Sequence, residues 1–195
     1  FPPTNVIRDL YNIPHDHHIA IYSGNIGYQT DFDSVLTLAK LCSMQKIKLT
    51  FVLAGSGPLL ASLQEKSSLI NNLRFTGWLN GDNLSQLLSI STFGILAFYP
   101  TLDYSLSFPN KFVEYLANSL IPLTHVKGLM SDFMLENSLG ISLNHFSDSS
   151  SLDLIQELLS SETIINAQKE KSLSVFKTNF DIDSVLPLMA NHLLT

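Results

Sequence analysis

Short apolar runs rich in β-branched and aromatic residues alternate along the chain with longer stretches whose apolar positions recur every three or four residues. That alternation is the pattern of βαβ units. The run Ile19–Tyr22 predicts a first strand ending in Ser23-Gly24-Asn25-Ile26-Gly27, and Asp31–Cys42 follows with helical spacing. Lys48–Ala54 predicts a second strand; it ends in Gly55-Ser56-Gly57-Pro58, where Pro58 suits the opening of a helix over Leu59–Leu69. Leu73–Phe75 reads as a short strand stopped by Thr76-Gly77-Trp78, and a helix over Asp82–Ser89 leads to a strand over Phe93–Phe98. The near-continuous apolar character of that strand suits a central position in a parallel sheet. A helix over Pro109–Ser119, a strand over Leu120–Thr124, a helix near Met130–Asn137 and a strand over Gly140–Leu143 complete the alternation. From Ser150 onward the pattern is helical only, over Leu152–Leu159, Glu162–Phe176 and Ile182–Leu194.

Six strands with helices between them predict an α/β fold: a doubly wound, Rossmann-like parallel sheet with helices on both faces and a helical C-terminus. Ligands of such sheets bind beyond the carboxyl ends of the strands. The loops Gly24–Gly27 and Gly55–Pro58, the turn at Gly77 and the loop leading to Pro109 share that rim. Gly24 and Gly27 lack a β-carbon, so backbone amides there can approach a bulky anion, and Asn25 offers a side-chain amide. Gly55 and Gly57 repeat the device, although a G-x-G alone also suits a tight strand-to-helix turn. Gly77 and Trp78 offer backbone contacts and apolar cover for a base, or a partly buried aromatic.

The most informative stretch is Ser107 to Pro122, SFPNKFVEYLANSLIP, which sets one lysine and one glutamate at the start of an otherwise apolar helix. Pro109 suits the first turn, with Ser107 just before it as the expected cap. Lys111 and Glu114 stand three residues apart and can face the same way, either as an exposed ion pair or as a site. A helix N-terminus with free amides, including that of Asn110, and a lysine favours a phosphate, and a carboxylate beside it can accept sugar hydroxyls. Lys111 and Glu114 are therefore the candidate catalytic pair and the centre of a candidate nucleotide-sugar site.

Composition narrows the classes. With 195 residues the chain suits one α/β domain and a terminal extension. A net charge of −6 and only 11 Lys plus Arg give no basic stripe for a nucleic-acid backbone, so nucleic acid is not an expected partner. The 45% hydrophobic content is high for a free-standing domain and suggests a face that meets another domain, while no apolar run is long enough to span a bilayer. Cys42 stands alone in a helical pattern and reads as a core thiol in a reducing compartment. Phe1-Pro2-Pro3 shows neither an initiator methionine nor the regions of a signal peptide, and reads as a fragment cut at a linker. The expected organisation is an interdomain linker segment over 1–18, a Rossmann-like domain carrying the candidate nucleotide-sugar site over 19–180 and a C-terminal helix over 181–195.

Four pieces in order carry a family resemblance: YSGNIG over 22–27, FVLAGSGP over 51–58, LRFTG over 73–77 and PNKFVEYLA over 109–117. Together they resemble the C-terminal, donor-binding domain of family 4 retaining glycosyltransferases, bacterial enzymes of the GT-B architecture with two Rossmann-like domains facing across a cleft. The resemblance implies transfer of a sugar from a nucleotide diphosphate donor of UDP or GDP type, with retention and without a metal or other cofactor. It also implies an N-terminal acceptor domain outside this chain, a lipid-linked glycan acceptor in surface polysaccharide synthesis, and a cytoplasmic enzyme peripheral to the inner membrane. The fragment by itself is expected to be inactive. Glu114 is similar to the second glutamate of the family's E-x7-E motif, which holds the ribose hydroxyls. The first glutamate falls at Leu106, which resembles a branch with a P-N-K-x-x-E-Y-x-A signature. Asn25 and Thr30 stand near the family's usual arginine and lysine, which leaves phosphate charge to Lys111, the helix N-terminus and the Gly24–Gly27 amides.

Two other readings stay open. One is a nucleotide-sugar epimerase of the same architecture, and the other a non-catalytic α/β nucleotide-binding or interaction module. Three further features carry less: His15, His17 and His18 with Asp16 as a cluster before the first strand; Asp103 and His125 near the rim; and Ser147–Ser151, read as a loop and helix cap.

Overall fold

The computed structural model describes residues 4–146 and 148–193. Six parallel strands form one sheet in the order β3-β2-β1-β4-β5-β6. The strands are β1 (His18–Ser23), β2 (Leu49–Ala54), β3 (Leu73–Gly77), β4 (Phe93–Leu96), β5 (Ile121–Thr124) and β6 (Ile141–Ser142). The order reverses between β1 and β4, which pair at Ala20 with Phe93 and Ile21 with Gly94. Chain connections leave that junction in opposite directions, so a crevice opens outside the carboxyl ends of these two strands.

The period-two alternation of β1 decides which side chains meet which helices. Ala20 and Tyr22 point to one face, where they join Phe51, Leu53, Phe93 and Ile95 beneath α2 (Phe32–Met44), α3 (Leu60–Lys66) and α8 (Ser149–Leu159). Ile19 and Ile21 point to the other, with Val52, Leu96, Phe112, Tyr115 and Met130. That face is covered by α1 (Thr4–Leu10), α4 (Gly81–Ser89), α6 (Asn110–Ala117), α7 (Leu129–Glu136) and α9 (Glu162–Asn179). Burial on both faces explains why β2 is apolar almost throughout, all six of its residues being buried.

Several boundaries differ from the sequence pattern for local reasons. β4 stops at Leu96 because the chain then turns to the loop after β1: the Asp31 N–H donates to the Ala97 carbonyl and Thr30 bridges Phe98. α3 starts after Leu59, its N-terminal cap residue, and ends at Lys66, so Pro58 lies before the helix rather than in its first turn. Residues 4–10, inside the segment expected as a linker, form α1, with Ile7 buried. A short helix, α5 (Leu102–Ser105), also went unpredicted, because four residues carry no period to read. α10 spans Ile182–Leu193 around Pro187; Leu194, included in the predicted helix, and Ser147, in the predicted loop, lie outside the described residues. Asp148 is the cap residue of α8 and makes no side-chain capping bond to the helix among the described residues.

Candidate functional site

α6 points its N-terminus at the crevice. Phe112, Tyr115 and Leu116 are buried against the sheet, which turns Lys111 and Glu114 together toward the rim. Phe108, Phe112, Phe133 and Phe180 hold the start of this helix, their rings 5.2 to 6.2 Å apart between centroids. Among the described residues no side chain caps the helix. Pro109 occupies the cap position, so Ser107 is two residues too early to cap it, and its hydroxyl donates instead to the Asp103 carbonyl at 2.6 Å.

In front of α6 lies a cavity of about 500 Å³, lined by Ser23 and Gly24 at the end of β1, Ala54 and Gly55 at the end of β2, and Asn110, Lys111 and Glu114 from α6. Trp78, Leu79, Gly81 and Leu84 supply a largely apolar wall, with Trp78 75% exposed at its lip. Lys111 is the one cationic side chain among the described residues that line it. Its Nζ lies 5.2 Å from the centroid of the Tyr22 ring, a cation–π contact. Burial lowers the Lys111 pKa from its ordinary 10.5, opposed in part by Glu114. Among the described residues the ion pairs do not include Lys111 with Glu114, so the two charges are not spent on each other. Glu114 accepts a hydrogen bond from the Ser23 hydroxyl at 3.3 Å, and the Ser23 N–H donates to the buried Tyr115 hydroxyl at 3.0 Å.

Six of the residues singled out from sequence line the cavity: Gly24, Gly55, Trp78, Asn110, Lys111 and Glu114. Asn25, Gly27, Gly57, Gly77 and Ser107 stand outside its lining. The Gly24–Gly27 and Gly55–Pro58 loops are stitched together instead: Gly24 N–H to the Ala54 carbonyl at 2.8 Å, Ile26 N–H to the Ser56 carbonyl at 2.9 Å, and Leu59 N–H to the Ile26 carbonyl at 3.1 Å. Tyr22 anchors the first loop by donating to the Asn25 carbonyl at 2.7 Å. Sequence reasoning missed Ser23, Ala54, Leu79, Gly81 and Leu84. For Ser23 a signal was present, since a polar residue that ends a buried strand one step before a rim glycine stands at the mouth of the site.

The remaining candidates lie elsewhere. Thr30 is buried and its hydroxyl pairs with that of Tyr22 at 3.1 Å. Leu106 and Asp103 are exposed, beside and within α5. His15, His17 and His18 have separate partners: Asp9, Thr50 and Thr92, respectively. His125 is buried near Asp31, with its Nε2 3.8 Å from the Asp31 carboxylate.

A GT-B-type Rossmann-like domain with an open cavity at its switch point, holding one lysine and one glutamate, is the class that this fold and site define. The family model for glycosyl transferases group 1 matches residues 4–174, so the chain belongs to that family. No curated protein matches the chain in sequence. Among solved structures it is similar to the C-terminal domain of a glycosyl transferase group 1 family protein (LpcC) from Francisella tularensis, with a TM-score of 0.72 at 14% identity, covering 93% of this chain and 95% of that one. It is also similar to Anabaena Alr3699/HepE in complex with UDP, with a TM-score of 0.76 at 11% identity over 97% of this chain and 52% of that one. WaaG, a glycosyltransferase involved in lipopolysaccharide biosynthesis, gives a TM-score of 0.68 at 15% identity over 92% of this chain. The chain spans 48% of the length of WaaG. Among the described residues no helix is long and apolar enough to cross a membrane.

Proposed function

We propose that this chain is the donor-binding half of a retaining glycosyltransferase, and that its cavity holds the nucleoside diphosphate of a UDP- or GDP-sugar. The observation that carries the reading is the convergence of Lys111, Glu114 and the uncapped start of α6 on one cavity rimmed by Gly24 and Gly55. The helix dipole and Lys111 would stabilise the diphosphate as the glycosidic bond lengthens, an electrostatic contribution preorganised before reaction. Glu114 would accept the ribose hydroxyls, and Trp78 would cover the base. Binding of UDP by Anabaena HepE supports a uridine donor.

In this reading residues 19–180 form the donor domain, residues 181–195 cross back toward an acceptor domain, and the isolated half has no turnover. The acceptor would be a lipid-linked glycan met at the inner face of a membrane.

Calorimetric titration of the chain with UDP, GDP and ADP tests the proposal. Saturable binding of one diphosphate, weakened about tenfold or more in Glu114→Ala, is the expected result. A folded chain that binds none of the three up to millimolar concentration overturns it.

A further inference from the structure

Tyr115 follows Glu114 on α6, so it points about 100° further round the helix, into the sheet. It is fully buried, and its ring fills the space that a side chain on Gly94 of β4 would need, 2.8 Å from that position to the ring Cε2. A leucine or phenylalanine would satisfy such a pocket by packing alone. The hydroxyl, however, reaches the end of β1, where it accepts the Ser23 N–H at 3.0 Å and lies 3.4 Å from the Ser23 Oγ.

The proton inventory gives this contact a direction. Ser23 has one hydroxyl proton and two oxygens within reach, those of Glu114 and Tyr115. An ionised carboxylate can only accept, so the serine proton goes to Glu114 Oε2. The Tyr115 oxygen keeps the serine in that position by accepting its N–H at 3.0 Å. Burial raises the Tyr115 pKa, which keeps the phenol neutral.

We infer that Tyr115 is a positioning residue for Glu114: acting through Ser23, it holds one carboxylate oxygen against β1 and leaves the other for the ligand. The inference rests on Glu114 being the residue that receives the ribose hydroxyls. It makes Tyr115, which does not line the cavity, a determinant of how well the site reads a ribose.

The test compares Tyr115→Phe and Ser23→Ala in the full chain by two measurements. The first needs no nucleotide: the carboxyl carbon resonance of Glu114, assigned by its loss in Glu114→Gln, moves in both variants. The second is affinity for UDP against 3′-deoxy-UDP. Tyr115→Phe weakens UDP about three- to tenfold, weakens the deoxy analogue less, and adds nothing in a Glu114→Ala background. A Glu114 resonance unmoved by Tyr115→Phe, or equal losses for both nucleotides, overturns the relay and leaves Tyr115 a packing residue. Ser23→Ala keeps the tyrosine and its bond to the Ser23 N–H, and decides the matter if Tyr115→Phe does not fold: an unmoved resonance there also overturns it. Absence of UDP binding in the unmodified chain would instead count against the donor reading, while the resonance still reports on the relay.

Discussion

The Lys111 ammonium occupies the space that a β-carbon on Gly24 would fill, with Nζ only 2.7 Å from that position. The pair lies across the mouth of the cavity, one residue from β1 and the other from α6, so the glycine determines where the cation can sit. Gly24→Ala therefore has two separable effects. The backbone there has φ of +129°, a region that residues with a β-carbon rarely adopt, so stability falls by about 1–3 kcal/mol. The flexible lysine also swings away, and UDP affinity falls to that of Lys111→Met. Combining the two substitutions weakens binding no further than either alone. Urea denaturation and calorimetry read the two effects separately, and additive losses would sink the argument.

At Gly55 the neighbour is rigid rather than flexible. A β-carbon there would overlap the carbonyl oxygen of Gly24, and the two loops are joined by the bond from the Gly24 N–H to the Ala54 carbonyl. A backbone atom cannot rotate aside as a lysine can, so Gly55→Ala costs more than Gly24→Ala, at or beyond the upper end of the roughly 1–3 kcal/mol usual for overpacking. Chemical denaturation of the two variants side by side checks the ranking; equal midpoints would contradict it.

Cys42 is fully buried in α2, and burial pushes its thiol pKa up to about 12 from an ordinary 9.0. A thiol reagent at pH 8 should therefore label the native chain far more slowly than the urea-unfolded one. The sign of the linked stability follows. Between pH 9 and 12 the unfolded thiol gives up its proton and the folded one does not, so stability falls as pH rises through that window. Cys42→Ala should remove this part of the alkaline limb, at some cost from the space left behind. Rapid stoichiometric labelling of the folded chain would refute the assignment.

The strands and most helices were legible because they carry a period: Ile19 and Ile21 against Ala20 and Tyr22 in β1, or Phe112, Tyr115 and Leu116 in α6. That the sheet is parallel followed from the alternation; its strand order did not. The short elements escaped, since α5 has four residues and α1 only two turns. Within the cavity, Lys111, Glu114 and Gly24 could be read because charge and missing side chains stand out at a strand end or helix start. Leu79 and Leu84 could not, because an apolar residue that lines a cavity has the same sequence signature as one that fills a core. Asn25 and Gly27 share their motif with Gly24, and Gly57 shares its own with Gly55, yet the bonds between the two loops turn those parts of the motifs toward loop packing. Spacing shows that glycines are needed without showing which side of the loop needs them.

His125 follows β5 and is 8% exposed, with its Nδ1 buried and without a hydrogen-bond partner among the described residues. Burial lowers its pKa from the ordinary 6.5; Asp31 opposes that shift, and His145 and Lys127 add to it. As pH drops below 6.5 the unfolded chain takes up a proton that the folded imidazole still refuses, so stability falls on acidification and recovers toward pH 7. The slope from one such group is at most about 1.4 kcal/mol per pH unit. His17 and His18 have pKa values lowered chiefly by burial as well and act in the same direction, so total acid sensitivity cannot isolate His125. The informative measurement is the difference in slope between the unmodified chain and His125→Gln, from urea midpoints between pH 5 and 7.5. His125→Gln should flatten the limb by up to one proton while leaving the plateau above pH 7 lower, because an amide fills the imidazole's space poorly against the Phe146 ring, 4.6 Å away between centroids. An unchanged slope would mean that the imidazole is reached by solvent or takes its proton in place, with Asp31 compensating for burial.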